Sequence, residues 1–282
     1  MSNVQAKTGF LRERSSDLAF AIGLARAFGG AILFSLPMLM TMEMWDLGFY
    51  MSTWRLILLL LVTVPLLLGL SHYMGFEETF GLKDDAVDAF VALAVGFAAS
   101  AAALTLFSII KPGLAAHEII GKIAIQAVPG SIGAMFAQSE LGGPGAEKKN
   151  WQAGYGGKIF IMAAGALFLA FNVAPTEEMV LIAHKMSAGH SIVLAFASLV
   201  IMHAFVYAVE FRGQVALHPG TPFWSVLLRF TIVGYAIALI ISFYILWSFS
   251  RTAGMPLDQT VSVTVVLGFP AAVGAAAARL IL

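Results

Sequence analysis

Hydrophobic residues in this chain come in long runs rather than in the alternation of a half-buried strand. Eight runs of about 20 residues or more can be drawn, near 23–45, 54–75, 87–110, 118–138, 157–175, 186–210, 225–249 and 258–281. Each is long enough as a helix to cross a hydrocarbon core of about 30 Å. Only helices and closed barrels satisfy every backbone group in lipid. The runs lack the dyad pattern of barrel strands, so the expected fold is an all-α membrane protein with eight transmembrane helices. Residues 1–22 are either an amphipathic segment on the cytoplasmic surface or an early start to the first span. Residues 139–156, rich in Gly and charge, read as a linker between two halves.

The halves resemble each other. Sliding the first span by 135 positions pairs Gly30 with Gly165, Thr41 with Thr176, Glu43 with Glu178 and Met44 with Met179. The same shift lays the second span on the sixth. A shift of 138 pairs Gly96 with Gly234, and one of 141 pairs Pro129, Gly133 and Ala134 with Pro270, Gly274 and Ala275. Two apolar helices share Leu and Ala by chance; a paired Glu and a paired Pro in the same order are harder to obtain that way. The expected organisation is therefore a first four-helix repeat over 23–138 and a second over 157–282. An even number of spans per unit makes the repeats parallel, related by a pseudo-two-fold axis along the membrane normal.

Composition narrows the picture. The chain is 60% hydrophobic and 11% charged, against about 25% charged residues in soluble domains. Net charge is zero, which gives nucleic acid no electrostatic handle. No cysteine is present, excluding disulfides, thiolate metal sites and cysteine catalysis. No cofactor or metal site is expected, since ligand spacing for zinc, a Walker loop, a His-Glu-x-x-His helix and a Gly-x-Ser-x-Gly elbow are all missing. Of the 16 Lys and Arg residues, an eight-span topology puts eleven on the side of the termini and five on the other. The positive-inside rule then places both termini in the cytoplasm.

The candidate chemistry is acidic. Glu43 and Glu178 occupy equivalent positions near the non-cytoplasmic ends of their spans, where a carboxylate can attract or bind a small cation or a proton. Asp46 and Glu177 could add charge at the same mouth; alternatively, Glu177 and Glu178 merely begin a solvated loop. Thr41 and Thr176 could add hydroxyl ligands or satisfy their own helix backbones. Pro37, Pro129 and Pro270 break helical hydrogen bonding, Asn172 stands where Pro37 has its counterpart, and Gln126 and Ser131 flank Pro129. These residues could line a pathway between discontinuous helices, or the prolines could serve packing alone. Small residues at four-residue spacing around Gly133 and Gly274 predict that the fourth and eighth spans cross at the centre, within one chain or between copies in a homo-oligomer.

The run Arg26 to Trp45 (Arg-Ala-Phe-Gly-Gly-Ala-Ile-Leu-Phe-Ser-Leu-Pro-Met-Leu-Met-Thr-Met-Glu-Met-Trp) and Pro-Gly-Ser-Ile-Gly-Ala at 129–134 resemble an uncharacterised bacterial family of multi-pass integral membrane proteins of unknown function. That resemblance implies a bacterial inner-membrane location and supplies no catalytic residues. The residues themselves favour a transporter or channel for a small cation, proton-coupled or not, rather than an enzyme. Two alternatives stand beside it. One is an enzyme acting on lipid, drawing on His72, Asp84, Asp85, His203 and Arg212. The other is a non-catalytic assembly partner whose glutamates are buried against helices.

Overall fold

The computed structural model describes residues 2–74, 82–140, 154–208, 224 and 227–281, with side chains over 18, 20–72 (without 19), 82–137, 154–205, 224 and 227–278. Much of the expected linker (141–153), together with Arg212, Lys148 and Lys149, lies outside the described residues. Among the described residues every regular element is helical. In chain order they are α1 (Ser2–Leu39), α2 (Met42–Tyr50), α3 (Thr53–Met74), α4 (Leu82–Leu106), α5 (Ala116–Glu140), α6 (Tyr155–Val173), α7 (Glu177–Lys185) and α8 (Ala188–Ala208). A π turn at Leu227–Ile232 then leads into α9 (Val233–Ser248), and α10 (Leu257–Ile281) follows. Eight of these helices are long and apolar enough to cross a membrane.

The two short helices, α2 and α7, are nine residues each, about 14 Å at 1.5 Å per residue, too short to span. Both lie at the face where α1 and α6 end and α3 and α8 begin, the short-helix face. The reason they exist is local. After Leu39 and after Val173 the chain leaves the helix for two or three residues, then restarts. Thr41 (φ −101°, ψ 118°) and Thr176 (φ −72°, ψ 145°) hold the extended conformation of an N-cap, as the residue before a helix start must. Three residues on, Met44 and Met179 are both buried and pin the new helix to the core. The first span was expected to run to residue 45; it stops at Leu39, and α2, mostly apolar apart from Glu43 and Asp46, conceals the restart in the hydropathy pattern.

Close packing explains which helices neighbour which. The expected crossing of the fourth and eighth spans is not found within the chain; α5 packs along α1 and α4, and α10 along α6, α8 and α9. The small residues serve those seams instead. A methyl on Gly30 would lie 2.6 Å from the Gly133 carbonyl oxygen, and one on Gly133 equally 2.6 Å from that of Gly30. Gly165 and Gly274 make the same reciprocal approach between α6 and α10. Without a hydrophobic drive in lipid, such backbone contact is what holds membrane helices together. Gly96 and Gly234 serve different partners: Gly96 sits on α5 at Ala127 and Ser131, whereas Gly234 sits under Met162 and Met202 of α6 and α8.

Pro129 and Pro270 do not break their helices. α5 and α10 run continuously through Pro129 and Pro270, and α1 continues two residues past Pro37, whose ring is exposed. A discontinuity at Pro129 or Pro270 is not found; the interruptions come after α1, two residues past Pro37, and after α6, one residue past Asn172. Of the spanning helices α5 is the most enclosed, 78% buried against 17% for α8 and 22% for α3, which makes it the axle of the assembly.

Candidate functional site

The short-helix face gathers most of the residues singled out from the sequence. Glu43 and Glu178 occupy the second position of α2 and α7, in the first turn, where free backbone N–H groups favour a negative charge. Glu43 is half-buried and Glu178 exposed. They are therefore not inside long spans but at the mouths of short helices. The Thr41 hydroxyl donates to the Pro37 carbonyl (2.5 Å) and the Thr176 hydroxyl to that of Val173 (2.8 Å). Each hydroxyl stitches its broken turn, and each oxygen keeps lone pairs for another partner. Asn172 does the same for α6, its amide donating to the Phe168 carbonyl at 2.8 Å.

Tyr50, at the end of α2, marks where the halves approach. Partial burial pushes its phenol above the ordinary range; Arg251 opposes this, and Asp46, Glu177 and Glu43 add to it. Carboxylates from α2 and from α7 thus act on one hydroxyl, which stays protonated at neutral pH. A cleft of about 620 Å³ beside α7 is lined by Glu177, Glu178, His184, Ser250 and Arg251. Arg251 also donates to the Pro175 carbonyl, bracing the turn before α7.

The strongest cross-link on this face was not legible in the sequence. Arg55, in the first turn of α3, donates to the Trp247 carbonyl at 2.8 Å and to the Ser250 hydroxyl at 2.5 Å. Its guanidinium lies beside Trp54 (5.5 Å) and Trp247 (5.0 Å), two indoles that themselves meet edge to face at 5.1 Å. It caps the C-terminal end of α9, the negative end of that helix, and lies within reach of both indole rings. Only the aromatic neighbour Trp54 hinted at it.

Gln126 and Ser131 lie deeper. Gln126 is fully buried in α5 and its amide donates to the Met38 carbonyl at 3.1 Å, while its own carbonyl oxygen has no partner. Ser131 is equally buried and donates to Val128 at 2.8 Å. Gln126 serves the end of α1, and Ser131 bonds within α5 one turn from Pro129. Nearer the short-helix face, α5 carries a charged pair, Lys122 to Glu118 at 3.1 Å, with side chains 9% and 17% exposed.

On the opposite face Asp85 is buried and meets His72 Nδ1 at 3.2 Å; Ser71 donates weakly to Asp85 (3.4 Å) and Asp88 (3.3 Å). Asp84 is exposed, in keeping with a solvated helix start, but Asp85 is not. The hydroxyl faces carboxylates rather than the imidazole, so the order needed to activate a serine is lacking. His203 is elsewhere, bonded to the Thr231 hydroxyl at 2.8 Å. Among the described residues no group of three His, Asp or Glu is placed to hold a metal ion.

Searches of curated proteins and of solved structures returned no match. Residues 23–282 match the model of the family described as "Putative integral membrane protein (DUF2391)". With eight helices able to span a bilayer and a match over nearly its whole length, the chain belongs to this family of multi-pass integral membrane proteins.

Proposed function

We propose that the protein moves a small cation across the bacterial inner membrane, with both termini cytoplasmic and the acidic short-helix face outside. The observation that carries this reading is the cleft of about 620 Å³ beside α7, lined by Glu177 and Glu178 together with Arg251, with Glu43 and Asp46 of α2 acting alongside Glu177, and against Arg251, on the Tyr50 hydroxyl. This charge lies where a cation entering from water would first meet the protein, and the field of several carboxylates raises its local concentration. Thr41 and Thr176 offer oxygen ligands beside the glutamates, and Gln126 offers an unsatisfied carbonyl oxygen further in.

We further propose that the chain is a tandem repeat, a first unit over 23–138 and a second over 157–282, joined by the linker. Supporting it are the order long, short, long, long, long in each half, the two restarts with an extended threonine before the short helix, and the reciprocal glycine contacts 30–133 and 165–274. Both α4 and α9 also end on a serine with positive φ, Ser108 (59°) and Ser250 (60°). Those serines are 142 apart, so the pairing of Gly96 with Gly234 is replaced by one about a turn further along.

The test is flux in proteoliposomes. Glu43→Gln and Glu178→Gln should each lower cation uptake, and the pair together should lower it about tenfold or more. Normal uptake by the double variant across a panel of monovalent and divalent cations would refute the transport reading. Of the residues behind the lipid-enzyme alternative, His72 pairs with Asp85 and His203 bonds to Thr231 instead, while Arg212 lies outside the described residues.

A further inference from the structure

A second cleft, of about 700 Å³, opens between α7, α8 and α10, a size typical of small-molecule sites. Its wall is apolar, with Met186, Ile192, Ala195, Val261, Val263 and Val265. The outer surface beside it is lipid-facing: Ile192, Val193 and Phe196 are each about two-thirds exposed or more. Its polar groups are His184, Ser191, Asp258, Gln259 and Ser262.

The cleft exists for a reason written in two residues. In the first half α2 lies directly on α5 because Gly48 faces Gly121; a methyl on Gly48 would come within 2.6 Å of the Lys122 backbone, and one on Gly121 would strike the Gly48 carbonyl. On the tandem-repeat correspondence, 135 for α2 and 141 for α5, these glycines become Ala183 and Ser262. Both line the cleft. Side chains at both places keep α7 from closing on α10.

What would fill the space follows from its chemistry. An acyl chain gains little by leaving lipid for an apolar groove, because lipid tails are as apolar as leucine. Selection must come from the polar rim. His184 Nδ1 faces the Val180 carbonyl at 2.9 Å; a carbonyl only accepts, so Nδ1 carries the proton and Nε2 of the neutral ring is an acceptor. Gln259, Ser191 and Ser262 can each accept as well. Asp258, exposed in the first turn of α10, carries the one fixed charge on the lining, and among the described residues its carboxylate makes no hydrogen bond or ion pair. Lys185 follows His184 in sequence but is not part of the lining. We propose that this cleft binds an amphipathic amine, its chain between α8 and α10 and its ammonium against Asp258, His184 and Gln259. The site is independent of whether the protein transports a cation.

An alkylamine of about eight carbons, the reach from Asp258 to Val265 at 1.5 Å per helical residue, carrying a diazirine at its chain end, and the carboxylic acid of equal length, serve as probes on the full chain in lipid nanodiscs. Photolabelling mapped by peptide mass spectrometry should place the amine on α8 and α10 around Ala195 and Val265, with about a fivefold excess over the acid. Asp258→Asn should abolish that excess, and Ala195→Phe, which fills the groove, should remove labelling there for both probes. Ser262→Phe supplies a second filling variant should Ala195→Phe fail to fold. Equal labelling by amine and acid, an excess that survives Asp258→Asn, or label spread evenly over all lipid-facing helices would overturn the proposal.

Discussion

The two short helices are built to one plan and seated in two ways. α2 and α7 have the same length, the same threonine entry and the same buried methionine. Yet α2 is bedded on α5 through two glycines and flanked by the enclosed Glu118–Lys122 pair, while α7 stands off from α10 with a cleft on either side. The elements packed around each short helix are alike, so the difference comes from side chains a few atoms in size. Backbone geometry sets where a short helix can lie; the Cβ atoms at two positions decide whether it seals or leaves a binding space.

Substitutions that act on one seat and not the other sharpen this contrast. The largest effect is expected from Lys122→Ala, which strands Glu118 in a nearly closed site and should cost about 3–5 kcal/mol. A matching change at the buried Val263, its counterpart by position, should cost about 2 kcal/mol through the cavity it leaves. Thermal midpoints of the detergent-solubilised protein compare the two directly. Next comes Gly121→Val, which should destabilise by roughly 2–3 kcal/mol through overpacking, whereas Ser262→Val should be tolerated; equal losses would show that α7 is seated as tightly as α2. Arg55→Lys keeps the charge but loses the planar contact with two indoles. It should lower stability by about 1–2 kcal/mol and shift tryptophan fluorescence, since Trp54 and Trp247 lie beside the guanidinium. The smallest effect is expected from Ala183→Gly, within about 1 kcal/mol; a larger gain in stability would mean that α7 closes once its methyl is removed.

How far the sequence reached depended on range. The eight spans were legible because hydropathy over 20 residues is a local property, and seven of the eight expected boundaries at the short-helix face needed only small adjustment. The α1 boundary failed because α2 is apolar enough to read as a continuation. Thr41 and Thr176 were legible as a pair, but their position as helix entries depends on backbone angles that composition does not carry. Gly48 and Gly121 looked like any glycines in a membrane helix; their value arises only when α2 and α5 meet. Asp85 and Asp84 were equivalent as letters, and which one turns inward depends on Ser71 and His72 of α3. Small-residue spacing predicted tight crossings correctly in kind, but within the chain the partners are α1 and α4 for α5 and α6, α8 and α9 for α10, since a small face says how close a neighbour can come, not which neighbour it is.

The Arg55 clamp has a consequence for how the protein is made. Its acceptor at Trp247 lies 192 residues later in the chain, and synthesis at 5–20 residues per second leaves an interval of about 10–40 s. Throughout it the guanidinium has no carbonyl of its own to hold, so water or lipid phosphate must serve it at the membrane surface. The early helices are thus inserted well before the pair can lock, and the last third of the polypeptide completes a joint that was left open near the start.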